Sequence, residues 1–452
     1  MADQGFAMND MILISVDDHI VEPADMFEGR MPEKFKDRAP HVVTDEQGRY
    51  SWQFEGRRTL NVALNAVVGR PRDQLGFEPN AYDHIRKGCY DVHARIDDMN
   101  VNGIFGSLNF PTFPGFSFET FGRVKDRELA LEAVRAYNDW HIDAWCGPYP
   151  ERFIPMVSLP VWDMPAAVAE LKRCIKKGAR TISLPPFVHT MGGLPSIHDD
   201  YWKPLWTALV DEGIPISIHL GAGGGSDHVT MDSPIGALLS KGTLSSQTVA
   251  AEWLWSDIFR QFKDLRIILS EGGIGWLPYF LERVDLTHKN HGAWMRKDWG
   301  GKLPSEVFRE HFYVCFIEDE SGVDQRKRIG VDIITFECDY PHADVTWPET
   351  PEVLWNKEFR QGAIGREDID KITHLNAMRA LNWDPFGRIA RHEATVGALR
   401  ARATHVDMTP ITHGGIAPAE GETNGFITAG DVLKRQFPDQ LRPPEGRTLE
   451  QA

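Results

Sequence analysis

Short apolar runs rich in β-branched residues recur along the chain. Each is stopped by polar, Gly or Pro residues and followed by a longer stretch with helical periodicity. The runs are MILISVDDH (11–19), GIFGSLNFP (103–111), FIPMVSLP (153–160), TISLPP (181–186), PISIHLG (215–221), RIILSEGG (266–273), FYVCFIED (312–319) and IITFECDYPH (333–342). Near-continuous hydrophobicity, in place of strict alternation, predicts strands buried on both faces. The segments between them carry the amphipathic period: in RELALEAVRAYNDWHIDAW (127–145), Leu129, Ala133, Ala136, Tyr137 and Trp140 fall at helical spacing. MPAAVAELKRCIKKG (164–178) predicts a helix capped by Asp163 and stopped at Gly178, with lysines in its last turn. DYWKPLWTALVDEG (200–213) likewise ends on a glycine.

About eight β-then-α units in succession predict an α/β fold of the (β/α)8 TIM-barrel kind over residues 1–383. The alternative, an open doubly wound sheet with a second domain, lacks a G-x-G-x-x-G after the first strand. The glycines of GAGGGSDH (221–228) follow a strand, but no acidic residue sits where a dinucleotide fold needs it, so they read as a loop over the barrel mouth. Two further stretches interrupt the pattern. VVTDEQGRYSWQFEGRRTLNV (42–62) reads as short strands punctuated by Gly48 and Gly56, a small β-subdomain within an insert of about residues 41–90. From residue 384 to 452 a C-terminal extension begins with DPFGR and becomes rich in Thr, Gly and Pro.

Composition narrows the partners. The 452 residues carry 49 basic and 65 acidic side chains, a net charge of −16 that repels phosphate backbones and anionic lipid. No nucleic-acid or membrane partner is expected, since no apolar run approaches a bilayer span. Five scattered cysteines without a C-x-x-C exclude a disulfide scaffold and a thiolate zinc site, and suit the cytoplasm.

Reacting groups of such a barrel sit at the C-terminal strand ends. There the first strand offers Asp17, Asp18 and His19, the fifth His219, the sixth Glu271, and the eighth Asp339 with His342 just beyond. Asp17 and His19, two apart, are expected to project the same way. With His219 and Asp339 they make two imidazoles and two carboxylates, a set suited to Zn²⁺ or Mn²⁺.

SVDDHIVEP (15–23), IHLG (218–221), ECDYPHADVTWP (337–348) and HLNAMRAL (374–381) resemble the amidohydrolase-related family. The nearer likeness is to its branch containing aminocarboxymuconate-semialdehyde decarboxylase and the γ-resorcylate decarboxylases. It spans most of residues 11–383. The resemblance implies a metal-dependent barrel, usually with one catalytic ion and commonly a homodimer. It places the metal ligands on Asp17, His19, His219 and Asp339, with zinc expected ahead of manganese. Two departures stand out: Glu271 occupies the strand-six end where many members carry histidine, and strand four ends Leu184-Pro185-Pro186 with no lysine for a bridging carbamate. The second favours a single ion.

A Lewis-acidic ion can activate water, and Asp339 or Glu271 is the expected catalytic base. The leading expectation is therefore hydrolysis of a small-molecule amide, ester or activated C–C bond. The alternatives are non-oxidative decarboxylation of an aromatic or dienoic acid, and a non-catalytic binding barrel. If ionised, Asp17, Asp339 and Glu271 contribute −3 against the ion's +2. An anionic substrate then needs help, either from Arg57 or Arg58 reaching in from the insert or from a protonated Glu271. His342 is expected to touch substrate or orient Asp339, His228 to be a loop residue, and the basic, aromatic segment 288–302 a surface or subunit contact.

Overall fold

The computed structural model describes residues 5–46, 48–76, 79–191, 193–220, 230–412 and 427–436. The barrel strands are β1 (Leu13–Ile20), β5 (Ile104–Pro111), β6 (Phe153–Ile154), β7 (Met156–Val157), β8 (Thr181–Ser183), β9 (Ile216–His219), β10 (Ile267–Ser270), β11 (Phe312–Phe316) and β12 (Ile334–Phe336), while β2, β3 and β4 belong to the insert. Pro155, which has no N–H to give a ladder, splits one strand into β6 and β7. Those two halves are also the two ends of the hydrogen-bonded order β6-β5-β1-β12-β11-β10-β9-β8-β7. The sheet therefore closes on itself as eight parallel strands, the (β/α)8 barrel expected. All eight apolar runs became strands, each one to several residues shorter than the run.

Double-sided burial explains why those runs hardly alternate. Ile12, Ile14 and Val16 join Leu108, Phe110, Ile154, Met156, Ile268 and Cys315 in one buried cluster, which fills the barrel. Their neighbours Leu13, Ile104, Phe153, Ile182, Ile216, Ile267, Phe312 and Ile334 join a second, larger cluster, shared with the helices. The caps fall as predicted: Asp163 accepts from the Ala166 N–H, and Gly213 takes the left-handed conformation (φ 66°) that ends its helix. The helix starting at Arg127 is regular only to Asp139; Trp140–Cys146 winds as a π-helix. That wider turn delivers the Trp145 indole N–H to Asn109 Oδ1, 2.9 Å away.

The insert holds a three-stranded antiparallel sheet: β2 (His41–Thr44), β3 (Tyr50–Phe54) and β4 (Arg57–Asn61). It leans on the barrel through Trp52, stacked on Phe113 with centroids 4.4 Å apart. The first part of the extension, around residues 396–400, is built into the barrel floor. Val396 donates its N–H to the Met11 carbonyl (2.9 Å), and Arg400 donates to the carbonyls of Val101 and Pro348. The segment 427–430 pairs with the stretch following β9: Ile235 donates to Ile427 and Ala429 to Ser233. Residues 221–229, including His228, and most of the Gly/Pro-rich tail lie outside the described residues. Among the described residues no helix is long and apolar enough to cross a membrane, and the five cysteines are buried and unpaired.

Trp383 plugs the floor because Gly106 leaves it room. A Cβ at Gly106 would lie 2.9 Å from the Trp383 ring and 3.2 Å from Ile14. Gly106→Ala is expected to lower unfolding free energy by about 1–3 kcal/mol in urea; an unchanged midpoint contradicts this packing.

Candidate metal centre

The end of β1 makes the site possible through a bulge. Ser15 pairs with Ser107, but Asp18 pairs with Asn109, so three steps along β1 match two along β5. The extra residue reverses the alternation. Asp17 and His19 continue the inward row of Ile12, Ile14 and Val16, and Asp18 turns into the wall. There Asp18 accepts hydrogen bonds from Ser107, from Ser15 Oγ (3.2 Å) and from the Tyr340 N–H (3.0 Å). Burial nevertheless holds its carboxyl up at about 6.

Four strand ends meet in the cup. The Nε2 atoms of His19 and His219 lie 3.1 Å apart. His19 Nε2 is 3.6 Å from Asp17 Oδ1 and 3.3 Å from Asp339 Oδ1; His219 Nε2 is 3.4 Å from Asp17 Oδ2 and 3.3 Å from Glu271 Oε2. Donor atoms of Asp17, His19 and His219 all lie within 4.8 Å of one another, and so do those of His19, Asp339 and His342. The His219 Nδ1 sits against the Leu220 carbonyl, so the proton resides there and the Nε2 lone pair faces the cup. Two strand-end residues, Glu271 and Asp339, hold left-handed backbone (both φ 58°), a strained conformation for a residue with a side chain. Their N–H groups fix them: Glu271 donates to Glu337 Oε2 (2.9 Å), and Asp339 to the Asp17 carbonyl (2.9 Å).

A divalent cation fits this arrangement. All four carboxylate oxygens of Asp17 and Asp339 are buried without a hydrogen-bond partner among the described residues. Burial, and then the charge of Glu337, pushes Asp17 well above the ordinary carboxylate range; burial followed by Asp344 does the same to Asp339. Burial drives His219 and His342 down to about 3 and His19 well below its usual value, so the imidazoles stay neutral ligands. Unpaired buried carboxylates facing neutral imidazole nitrogens are costly unless a cation sits between them.

The remaining expected residues divide. His342 stacks on His19 (centroids 3.8 Å) and brings Nδ1 to 2.9 Å from Asp339 Oδ1, beside the cup. Glu271 reaches the cup from its partly exposed rim and is raised well above its ordinary pKa, first by burial. Arg58 does not reach it. Arg57 and Arg58 are exposed on the outer strand of the insert, and no contact of Arg58 with the cup exists among the described residues. Trp276 turns its indole N–H to the Gly272 and Gly273 carbonyls, Tyr279 points to solvent, and Phe280 packs on Phe308. The walls come from Phe110 and Phe116, whose rings lie 5.0 and 4.4 Å from that of His219. Phe116 belongs to the loop after β5, which Glu22 pins by accepting the N–H groups of Thr112 (3.0 Å) and Phe113 (2.8 Å). Sequence reasoning also passed over Glu337, buried at about 7 by desolvation. Its spacing of two from Asp339 was the available signal.

A family model described as amidohydrolase matches residues 108–383, and the chain belongs to that family. The match begins within β5, so Asp17 and His19 precede it. The γ-resorcylate decarboxylase of Rhizobium sp. (strain MTP-10005) is 26% identical over 341 residues, 71% of this chain and 96% of that protein. An amidohydrolase from Mycobacterium avium subsp. paratuberculosis K-10 has the same fold, with a TM-score of 0.63 at 23% identity over 82% of this chain and 99% of its own. The 5-carboxyvanillate decarboxylase of Novosphingobium aromaticivorans DSM 12444 gives 0.58 at 17% identity, over 85% and 99%, and its structure contains bound manganese. That finding overturns the expectation of zinc. Two carboxylates and two imidazoles without a thiolate form a mixed N/O set that manganese accepts.

Stripping divalent ions with a chelator is therefore expected to lower the thermal midpoint. Returning Mn²⁺ should raise it with concentration, by the equivalent of about 2.7 kcal/mol at a hundredfold excess over Kd. A midpoint indifferent to both treatments contradicts a metal centre in the cup.

Proposed function

We propose, from the premise that this barrel is a catalytic, metal-associated amidohydrolase, that it is a Mn²⁺-dependent non-oxidative decarboxylase of a hydroxylated aromatic carboxylic acid. The observation that carries the reading is the match to a decarboxylase along 96% of that relative's length, beside a cup of donors able to hold a metal ion. The expectation of hydrolysis, drawn from metal-activated water with a carboxylate base and a weak lean of the charge balance, gives way to it. The phenylalanine walls support a flat, apolar ring as the substrate's body.

In this reaction the bond between the ring carbon and the carboxyl carbon breaks. Its electron pair stays on the ring, carbon dioxide leaves, and one proton arrives at that carbon. No electrons pass to an acceptor, so no redox partner is needed. Asp17, His19, His219 and Asp339 would hold the cation, which supplies positive charge for the substrate's carboxylate and adjacent hydroxyl oxygens. Asp339 is the residue we place as proton carrier, with His342 Nδ1 2.9 Å from its Oδ1 to pass the proton on. Glu271, at the rim, links the cup to solvent protons, since its side chain keeps about a fifth of its surface exposed. Phe116 over His19 and His219 excludes water from the ring face.

Incubating the Mn²⁺-loaded protein with hydroxybenzoates, 2,6-dihydroxybenzoate among them, should release carbon dioxide and the matching phenol. Asp339→Asn is expected to cut that rate by at least about 100-fold while leaving circular dichroism unchanged. Full activity in the variant removes Asp339 from the mechanism. Amine or acid release from an amide and ester panel, without carbon dioxide from any carboxylate, overturns the decarboxylase reading.

A further inference from the structure

Behind the cup, on the helix Val92–Val101, lies Arg95, with no exposed surface. Among the described residues its hydrogen bonds go to backbone carbonyls: Nη2 donates to His19 O (2.5 Å) and Nε to Gly88 O (2.7 Å). Its guanidinium also lies 4.1 Å from the centroid of the Tyr340 ring. Both partners flank the centre. His19 is one of the four groups in the cup, and Tyr340 directly follows Asp339. The two segments are cross-linked where they carry these groups: His19 N–H donates to Tyr340 O (2.6 Å), Asp339 N–H to Asp17 O (2.9 Å) and Tyr340 N–H to Asp18 Oδ1 (3.0 Å). Tyr340 is held from behind as well: its hydroxyl donates to Asp98 Oδ2 (2.6 Å), and Arg86 grips Asp98 with two hydrogen bonds (2.6 and 3.0 Å).

We propose that Arg95 is a positioning residue of the metal centre: by holding the His19 carbonyl and the Tyr340 ring together it sets the spacing between the strand-one and strand-eight ligands, so that Mn²⁺ affinity depends on a side chain that is not a ligand. The inference rests on the metal centre proposed above. A planar fork is what the position requires. It reaches two carbonyls in different directions while keeping its face on a ring, which the single ammonium of lysine cannot do. Arg95 also puts a positive charge behind a cup whose ionisable acids are Asp17, Asp339 and Glu271.

The test titrates Mn²⁺ into the full-length protein, following the loss of the free-ion electron paramagnetic resonance signal, for the wild type, Arg95→Lys and Arg152→Lys. Arg152 is a control of the same kind: buried, and bonded to the carbonyls of Phe105 and Ile104 at the opposite end of the barrel. Both variants should lower the thermal midpoint. Only Arg95→Lys should raise the Kd for Mn²⁺, by tenfold or more. An unchanged Kd in folded Arg95→Lys, or an equal rise in Arg152→Lys, overturns the proposal. If Arg95→Lys does not fold, Tyr340→Phe decides: it removes the hydroxyl that donates to Asp98 and lies 4.0 Å from Cys89 Sγ while keeping the ring against Arg95, and should weaken Mn²⁺ by about threefold, and no change overturns the clamp. A wild type that takes up no Mn²⁺ sinks the metal centre and this inference with it. One that binds Mn²⁺ but releases no carbon dioxide fails the decarboxylase reading alone.

Discussion

Two carboxylates stripped of water and facing two neutral imidazole nitrogens form the constraint around which the rest of this barrel is arranged. Among the described residues no hydrogen bond compensates Asp17 and Asp339, and their ionised forms are disfavoured by burial and by Glu337 and Asp344. Protons on the carboxylates or a bound cation can balance such a cluster, and the cation alone answers the carboxylates and the imidazole lone pairs together. The bulge in β1, the left-handed backbone at Glu271 and Asp339, and the cross-links between β1 and the segment after β12 serve that cluster. The bulge and the left-handed residues cost local stability, the cross-links offset part of that cost, and all of them turn ligand atoms toward one point.

The same constraint governs what can be bound. An acidic cup admits an anion only when cationic charge is close by, and the exposed arginines of the insert do not supply it. Behind the wall lies the fully buried Arg95, committed to backbone carbonyls. A bound divalent ion then carries most of the neutralisation, which ties substrate binding to metal occupancy. The aromatic rings of Phe110 and Phe116 add a dry, apolar side to an otherwise polar mouth.

Much of this was legible before any coordinates. The eight strands could be read because a strand buried on both faces leaves a continuous apolar run, and the cup residues because they end such runs. Asp17 and His19 do point the same way, though a simple two-residue alternation places them on the wrong row; the bulge that corrects it leaves no local signature. Arg58 was misplaced because charge arithmetic locates a need and not a position. Arg95 was invisible for the opposite reason: an arginine in an amphipathic helix reads as a surface charge until the fold shows it lying under His19. Phe116 lies in a loop set by Glu22, a contact across 91 residues of chain that no periodicity records. The metal's identity depends on the balance of hard donors and on the ion's availability, and residue types alone do not rank zinc below manganese.

Crystals of the protein grown with Mn²⁺, measured near the manganese absorption edge, would place the ion directly. The account predicts one anomalous peak per chain at bonding distance from the side chains of Asp17, His19, His219 and Asp339. A cup free of anomalous signal at full Mn²⁺ loading, or a peak bonded to a different group of residues, would contradict it.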